Sequence, residues 1–153
     1  MAGLKKILPG FDVLENSPTW QPVVALAMQR GDGRWLMHRR PDEKDHGGLW
    51  EFPGGKVDAS ETPAAALVRE ITEELGIAIR ERDLEPVSFA QGPAFRGDRQ
   101  IVILLYKCSL WQGEPRALEG GTIAWSTLDE AKAMPKPPLD HILLDALRRW
   151  TGV

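Results

Sequence analysis

The stretch WQPVVALAMQ, residues 20–29, is apolar at odd and even positions alike. A strand formed from it has no polar face to turn to water and suits burial on both faces. RGDGR at 30–34 supplies a turn into WLMHRR at 35–40, and the pair reads as a hairpin. PDEKDHGG is a polar loop, LWEF a short strand, and PGG a break that neither strand nor helix tolerates inside it. Farther on, EPVSFAQ, RQIVILLYKCSLW and TIAWSTL read as strands and TLDEAKAM as a short helix. LDHILLDALRRW places Leu139, Leu143, Leu147 and Trp150 on one helical stripe. The sum is an α+β chain, a mixed sheet with helices against it.

A chain of 153 residues fits one domain. Residues 1–18 read as an N-terminal arm and 19–153 as the domain. The net charge of −3 gives no footprint for a nucleic-acid polymer or an anionic membrane surface. Cys108 stands alone, so it reads as a small buried side chain in a reducing compartment. The start has no apolar run of signal-sequence length, and no later run spans a bilayer, so the expected location is the cytoplasm. The histidines His38, His46 and His141 are scattered in sequence and do not read as a metal site.

Chemistry concentrates in the stretch from Gly54 to Ile77. Thr62 and Pro63 make a helix start, one capping free N–H groups and the other losing nothing at the first helical position, and Gly76 supplies the stop. Ala64, Leu67, Val68, Ile71 and Leu75 form the docking face. Glu70, Glu73 and Glu74 fall on the other side at spacings of three and four, where their carboxylates converge and repel. They also lie toward the helix C-terminus, where the dipole disfavours negative charge. A solvated acidic face is one reading. A divalent cation is the other, because Mg²⁺ takes a few carboxylates together with substrate phosphates, and a glycine loop lets backbone approach a ligand closely.

Gly55, five residues, Glu61, seven residues, then Arg69-Glu70-Ile71-Thr72-Glu73-Glu74-Leu75-Gly76-Ile77 resembles the signature of the Nudix hydrolases without a mismatch. The resemblance implies an αβα sandwich with a mixed sheet, a loop-helix-loop active site and a C-terminal helix. It implies Mg²⁺ or Mn²⁺ and cleavage of a diphosphate linked to another group. It also implies Glu70, Glu73 and Glu74 as metal ligands, Glu70 as candidate general base, and Arg69 as the group orienting the carboxylates. Glu61 is the more peripheral signature acid, either touching metal or supporting the loop.

GGLWEFPGGK, WQGEPRALEGGTIAW and PPLDHILL are similar to the MutT branch of that family, the nucleoside triphosphate diphosphatases. By that resemblance Glu119 is a further metal-binding or base-assisting acid, the Gly54 carbonyl a backbone ligand, and Asp140 a reader of the base. Asp140 also begins the last helix and has a capping role as its alternative. Arg39 and Arg40 can reach phosphate oxygens, Arg40 being the better match. Phe52, Phe95 and the tryptophans can stack on a base or fill the core. The expected reaction is Mg²⁺-dependent hydrolysis of a nucleoside triphosphate to monophosphate and pyrophosphate, with 8-oxo-dGTP favoured, by a monomer or homodimer. The alternatives are another nucleotide derivative (ADP-ribose, CTP or a methylated nucleotide) and a nucleotide-binding module without turnover.

Overall fold

A computed structural model describes residues 20–93 and 99–153. The arm at 1–18 and Phe95 lie outside the described residues. The elements run β1 (Trp20–Met28), β2 (Trp35–Arg39), β3 (Trp50–Glu51), β4 (Gly54–Lys56), α1 (Pro63–Leu75), β5 (Glu85–Pro93), β6 (Gln100–Cys108), β7 (Thr122–Ser126), α2 (Leu128–Ala133) and α3 (Pro138–Thr151).

The two-faced strand organises the molecule. β1 lies inside a four-stranded mixed sheet of order β4-β1-β6-β5, parallel to β6 and antiparallel to β4. Its even residues Val24, Leu26 and Met28 pack with Leu67, Ile71 and Leu75 of α1. The odd residues Ala25 and Ala27 face Leu143, Leu144 and Leu147 of α3. Helices thus cover both faces of the sheet, and each fully buried leucine contributes about 2 kcal/mol. Among the described residues no helix is long and apolar enough to cross a membrane.

The expected hairpin does not form as a ladder. Both edges of β1 are taken by β4 and β6, so β2 peels away after one bridge, Gln29 to Trp35. It becomes the middle of a second, antiparallel sheet of order β3-β2-β7. Nor is PGG a break throughout: Gly54 to Lys56 is β4, paired with Val23–Ala25 of β1. The glycines are there because neighbours crowd in. A Cβ at Gly54 would lie 1.9 Å from the Val24 carbonyl oxygen, and one at Gly55 would lie 2.3 Å from the Glu70 carboxyl carbon.

α1 is capped as its sequence predicts. The Thr62 hydroxyl accepts from the Ala65 N–H at 3.2 Å. Gly76, left-handed at φ 69°, donates to the Thr72 carbonyl. The buried stripe is Ala66, Leu67, Ile71 and Leu75, with Ala64 and Val68 half-buried. Glu74 departs from expectation: it is buried on the core side and does not share the solvent face with Glu73. In α3, Leu143 and Leu147 are buried, and Trp150 leaves the core at 42% exposure.

Candidate active site

The site is assembled where α1 crosses β4 and where β2 meets β3. The Glu70 carboxylate lies directly over the bare Cα of Gly55. Arg69 is the hub beside it. Its Nη1 donates to Glu70 at 3.0 Å and to Glu73 at 3.2 Å. Its Nε and Nη2 donate to Glu61 at 3.1 and 2.6 Å, and Nη2 also donates to the Lys56 carbonyl. Glu61 accepts the Asp58 N–H as well, so both its oxygens are committed to holding the loop before α1.

Glu74 points the other way. Its Oε2 accepts from the Gly54 N–H at 3.0 Å, and its Oε1 lies 3.3 Å from His38 Nδ1. Glu51, opposite His38 across the β2–β3 pair, lies 3.8 Å from the same nitrogen. His38, Glu51 and Glu74 can bring one ligand atom each to within 4.8 Å of one another. Of the histidines scattered in sequence, His38 thus stands beside two carboxylates at a spacing that could hold a cation. The signal was present: His38 is a polar residue directly after three apolar ones, Trp35, Leu36 and Met37, in a strand. Its meeting with Glu51 depends on strand register, which that signal does not carry.

Charge is compressed here. Burial pushes the Glu74 carboxyl up to about 7; His38 and the Gly54 N–H oppose the rise, while Glu51 and Glu119 add to it. Burial also raises Glu70, against the pull of Arg69, with Glu73 and Glu119 reinforcing the rise. Burial alone would lower His38, but Glu51, the Gly120 carbonyl and Glu74 outweigh it and the net direction is upward. Glu119, exposed on its loop, therefore adds its charge to both Glu70 and Glu74. Hard oxygen donors whose charges push up the Glu70 and Glu74 carboxyls, and which outnumber their one arginine, fit a divalent cation.

Beside the carboxylates opens a cavity of about 510 Å³ whose lining includes Arg40, Glu51, Phe52, Gly55, Ile103 and Asp140. Arg40 Nη1 donates to Glu51 at 3.1 Å and its Nε to the Asp45 carbonyl. The neighbouring Arg39 pairs instead with Asp42. Phe52 is 4% exposed and belongs to the core, so it gives the cavity a wall. No tryptophan lines this cavity among the described residues. Cys108 is buried, with its thiol on the Leu110 carbonyl and its pKa pushed up by burial, as an inert packing residue requires.

Asp140 does not cap α3. The cap position is Pro137, and Asp140 sits in the first turn with its Oδ1 accepting from the Phe52 N–H at 3.1 Å. Lys136, also buried, donates to the Ala131 and Met134 carbonyls. Burial pushes Asp140 up from 3.8 to about 7; Glu51 adds to the rise, while the Phe52 N–H, Lys136 and Arg40 oppose it. The folded pKa is raised, so the folded chain holds this proton where the unfolded chain has lost it. That contribution is complete below the unfolded value of 3.8 and disappears as pH rises through 7. Asp140→Asn carries no charge to bury and keeps an acceptor for Phe52. Its stability relative to wild type should therefore climb between pH 5 and pH 7, by at most about 3 kcal/mol, and level off toward pH 8.5, as followed by thermal melting. A flat difference across that range would show that Asp140 titrates normally.

A family model described as NUDIX domain matches residues 19–148. A protein of Escherichia coli strain K12 named CTP pyrophosphohydrolase is 38% identical over 124 residues, covering 81% of this chain and 88% of the relative. The 8-oxo-dGTP diphosphatase of the same organism is 33% identical over 127 residues, covering 82% and 95%. The solution structure of the E. coli ORF135 protein superposes with a TM-score of 0.77 at 35% identity, covering 87% of this chain and 91% of that one.

Proposed function

The chain belongs to the NUDIX family and is a hydrolase acting on phosphoric anhydrides; from this premise we propose that it cleaves a nucleoside triphosphate to the monophosphate and pyrophosphate, with 8-oxo-dGTP favoured. The observation that carries the reading is the continuity of one cavity, which runs from Gly55, under the Glu70 carboxylate, to Phe52 and Asp140. One end offers Arg40, Glu51 and the Gly54–Gly55 backbone beneath the α1 carboxylates; the other offers apolar walls and one buried carboxyl that can read a base edge.

Glu70, Glu73, Glu74, Glu119 and the Gly54 carbonyl are the groups that would hold Mg²⁺ or Mn²⁺. The chemistry such an ion supplies when bound is charge neutralisation on the phosphates and a lowered pKa for water. Glu70, half-buried with its pKa raised, is the group placed to take the proton of the attacking water. Arg69 holds that carboxylate in one orientation. Arg40, itself steadied by Glu51, presents its guanidinium to phosphate oxygens. A bond forms from the water oxygen to one of the two phosphorus atoms that the first anhydride oxygen bridges, the bond from that oxygen to the same phosphorus breaks, and monophosphate and pyrophosphate separate.

A second reading is a cytidine nucleotide, supported by the relative named CTP pyrophosphohydrolase at 38% identity. Mg²⁺-dependent hydrolysis of 8-oxo-dGTP, dGTP, CTP and ADP-ribose tests both, followed as pyrophosphate for the three triphosphates and as AMP and ribose 5-phosphate for ADP-ribose. The expected result is the highest kcat/KM for 8-oxo-dGTP, with Asp140→Asn changing its ratio to dGTP. A higher kcat/KM for CTP would transfer the reading to the cytidine nucleotide. Hydrolysis of none of the four would leave a nucleotide binder.

A further inference from the structure

We propose that His38 is a positioning residue that pins the loop carrying Glu119 to β2 beside the Glu74 carboxylate, so that acids from two distant segments form one preorganised cation site. The inference rests on the reading of those acids as cation ligands given above.

His38 is 5% exposed near the end of β2. Its Nε2 lies 3.1 Å from the Gly120 carbonyl oxygen. A carbonyl only accepts, so Nε2 carries the hydrogen. Its Nδ1 faces Glu74 at 3.3 Å and Glu51 at 3.8 Å. It is the buried side-chain nitrogen or oxygen that lacks a hydrogen-bond partner among the described residues. One ring therefore meets the residue after Glu119 on one side and the Glu74 carboxylate on the other.

The residues flanking Glu119 show why this matters. Leu118 donates its N–H to the Glu74 carbonyl at 2.9 Å, and Arg116 donates to the Leu75 carbonyl at 3.0 Å. These bonds string the loop from the free carbonyls at the end of α1. Gly120, on the other flank, is held by His38. Gly121 follows at φ 79°, and a Cβ there would lie 2.1 Å from the Arg39 carbonyl oxygen and 3.0 Å from His38 Nε2. The loop thus closes onto β2 only because that residue is glycine. With Leu118 anchored on α1 and Gly120 on β2, Glu119 is suspended between two fixed points. Releasing one lets the carboxylate drift from Glu70 and Glu74. Loss of a group that orients metal ligands typically costs about 10–100-fold in metal affinity.

The test is Mg²⁺ binding to the nucleotide-free protein, followed by calorimetry and by the melting temperature, beside KM for 8-oxo-dGTP. His38→Leu should weaken Mg²⁺ binding about 10–100-fold while KM changes less than about threefold. His38→Gln, whose amide nitrogen can take the place of Nε2 and reach Gly120, should recover most of the affinity. His38→Asn, which replaces Nδ1 but cannot reach Gly120, should stay weak. Should the Leu variant fail to fold, tighter Mg²⁺ binding by the Gln variant than by the Asn variant supports the proposal on its own. Equal Mg²⁺ affinity in wild type, Gln and Asn overturns the proposal and leaves the proposed reaction intact. A wild type that binds no Mg²⁺ overturns both.

Discussion

Glu70→Gln should lower turnover by at least ~10²-fold, the lower end of what general acid–base catalysis supplies, with the fold intact. Glutamine keeps the shape of the side chain over Gly55 and still offers an oxygen to Arg69 Nη1, now 3.0 Å from Glu70. It removes the anionic donor and the proton acceptor together. Stability should not fall, because burial and the neighbouring Glu73 and Glu119 already make the Glu70 charge costly. Pyrophosphate release under saturating Mg²⁺ and nucleotide gives the turnover, and thermal melting reports the fold. Cys108→Ser is the control, expected near wild-type turnover because its thiol sits on the Leu110 carbonyl within the core. A folded Glu70→Gln protein turning over within about threefold of wild type would assign the proton transfer elsewhere.

The features legible in the sequence are those encoded locally. Thr62, Pro63 and Gly76 act within a few residues of themselves, and the ends of α1 fall where they predict. β1 is legible because both its alternations are apolar, and helices do cover both its faces. Contacts across long separations are not legible. Glu74 is drawn inward by an N–H twenty residues earlier in the chain, at Gly54. Asp140 has the position of a cap in sequence, but Pro137 takes that place and leaves the carboxyl to reach Phe52, 88 residues away. The glycines of PGG read as a break because a short glycine strand exists only through its partner, here Val23–Ala25. His38 and Glu51 meet through the register of two strands from different parts of the sequence.

Gly55→Ala should leave the chain folded and lower turnover by about 10²-fold. The new methyl would lie 2.3 Å from the Glu70 carboxyl carbon and 2.4 and 2.5 Å from its oxygens, while meeting no backbone that closely. The backbone of β4 is held by its pairing with β1, Gly55 opposite Val24, so the side chain gives way. An ordinary contact requires Glu70 to retreat by about 1 Å, and a misplacement of that size at a reacting group can cost about 10²-fold. Glu70 would also pull against Arg69, whose other bonds run to Glu61, Glu73 and Lys56. Gly55 lies outside the left-handed backbone region, so alanine brings no strain of its own, and the stability change should stay within about 1 kcal/mol. Gly54→Ala is the contrast, since its methyl would lie 1.9 Å from the Val24 carbonyl oxygen and 2.8 Å from the Ala25 Cα. That collision is backbone on backbone and should open the β1–β4 pairing, lowering the melting temperature as well as the activity. Adjacent glycines thus separate reaction from fold: one makes room for a carboxylate and the other for a strand. Wild-type turnover in Gly55→Ala would mean that the Glu70 carboxylate can stand elsewhere during the reaction.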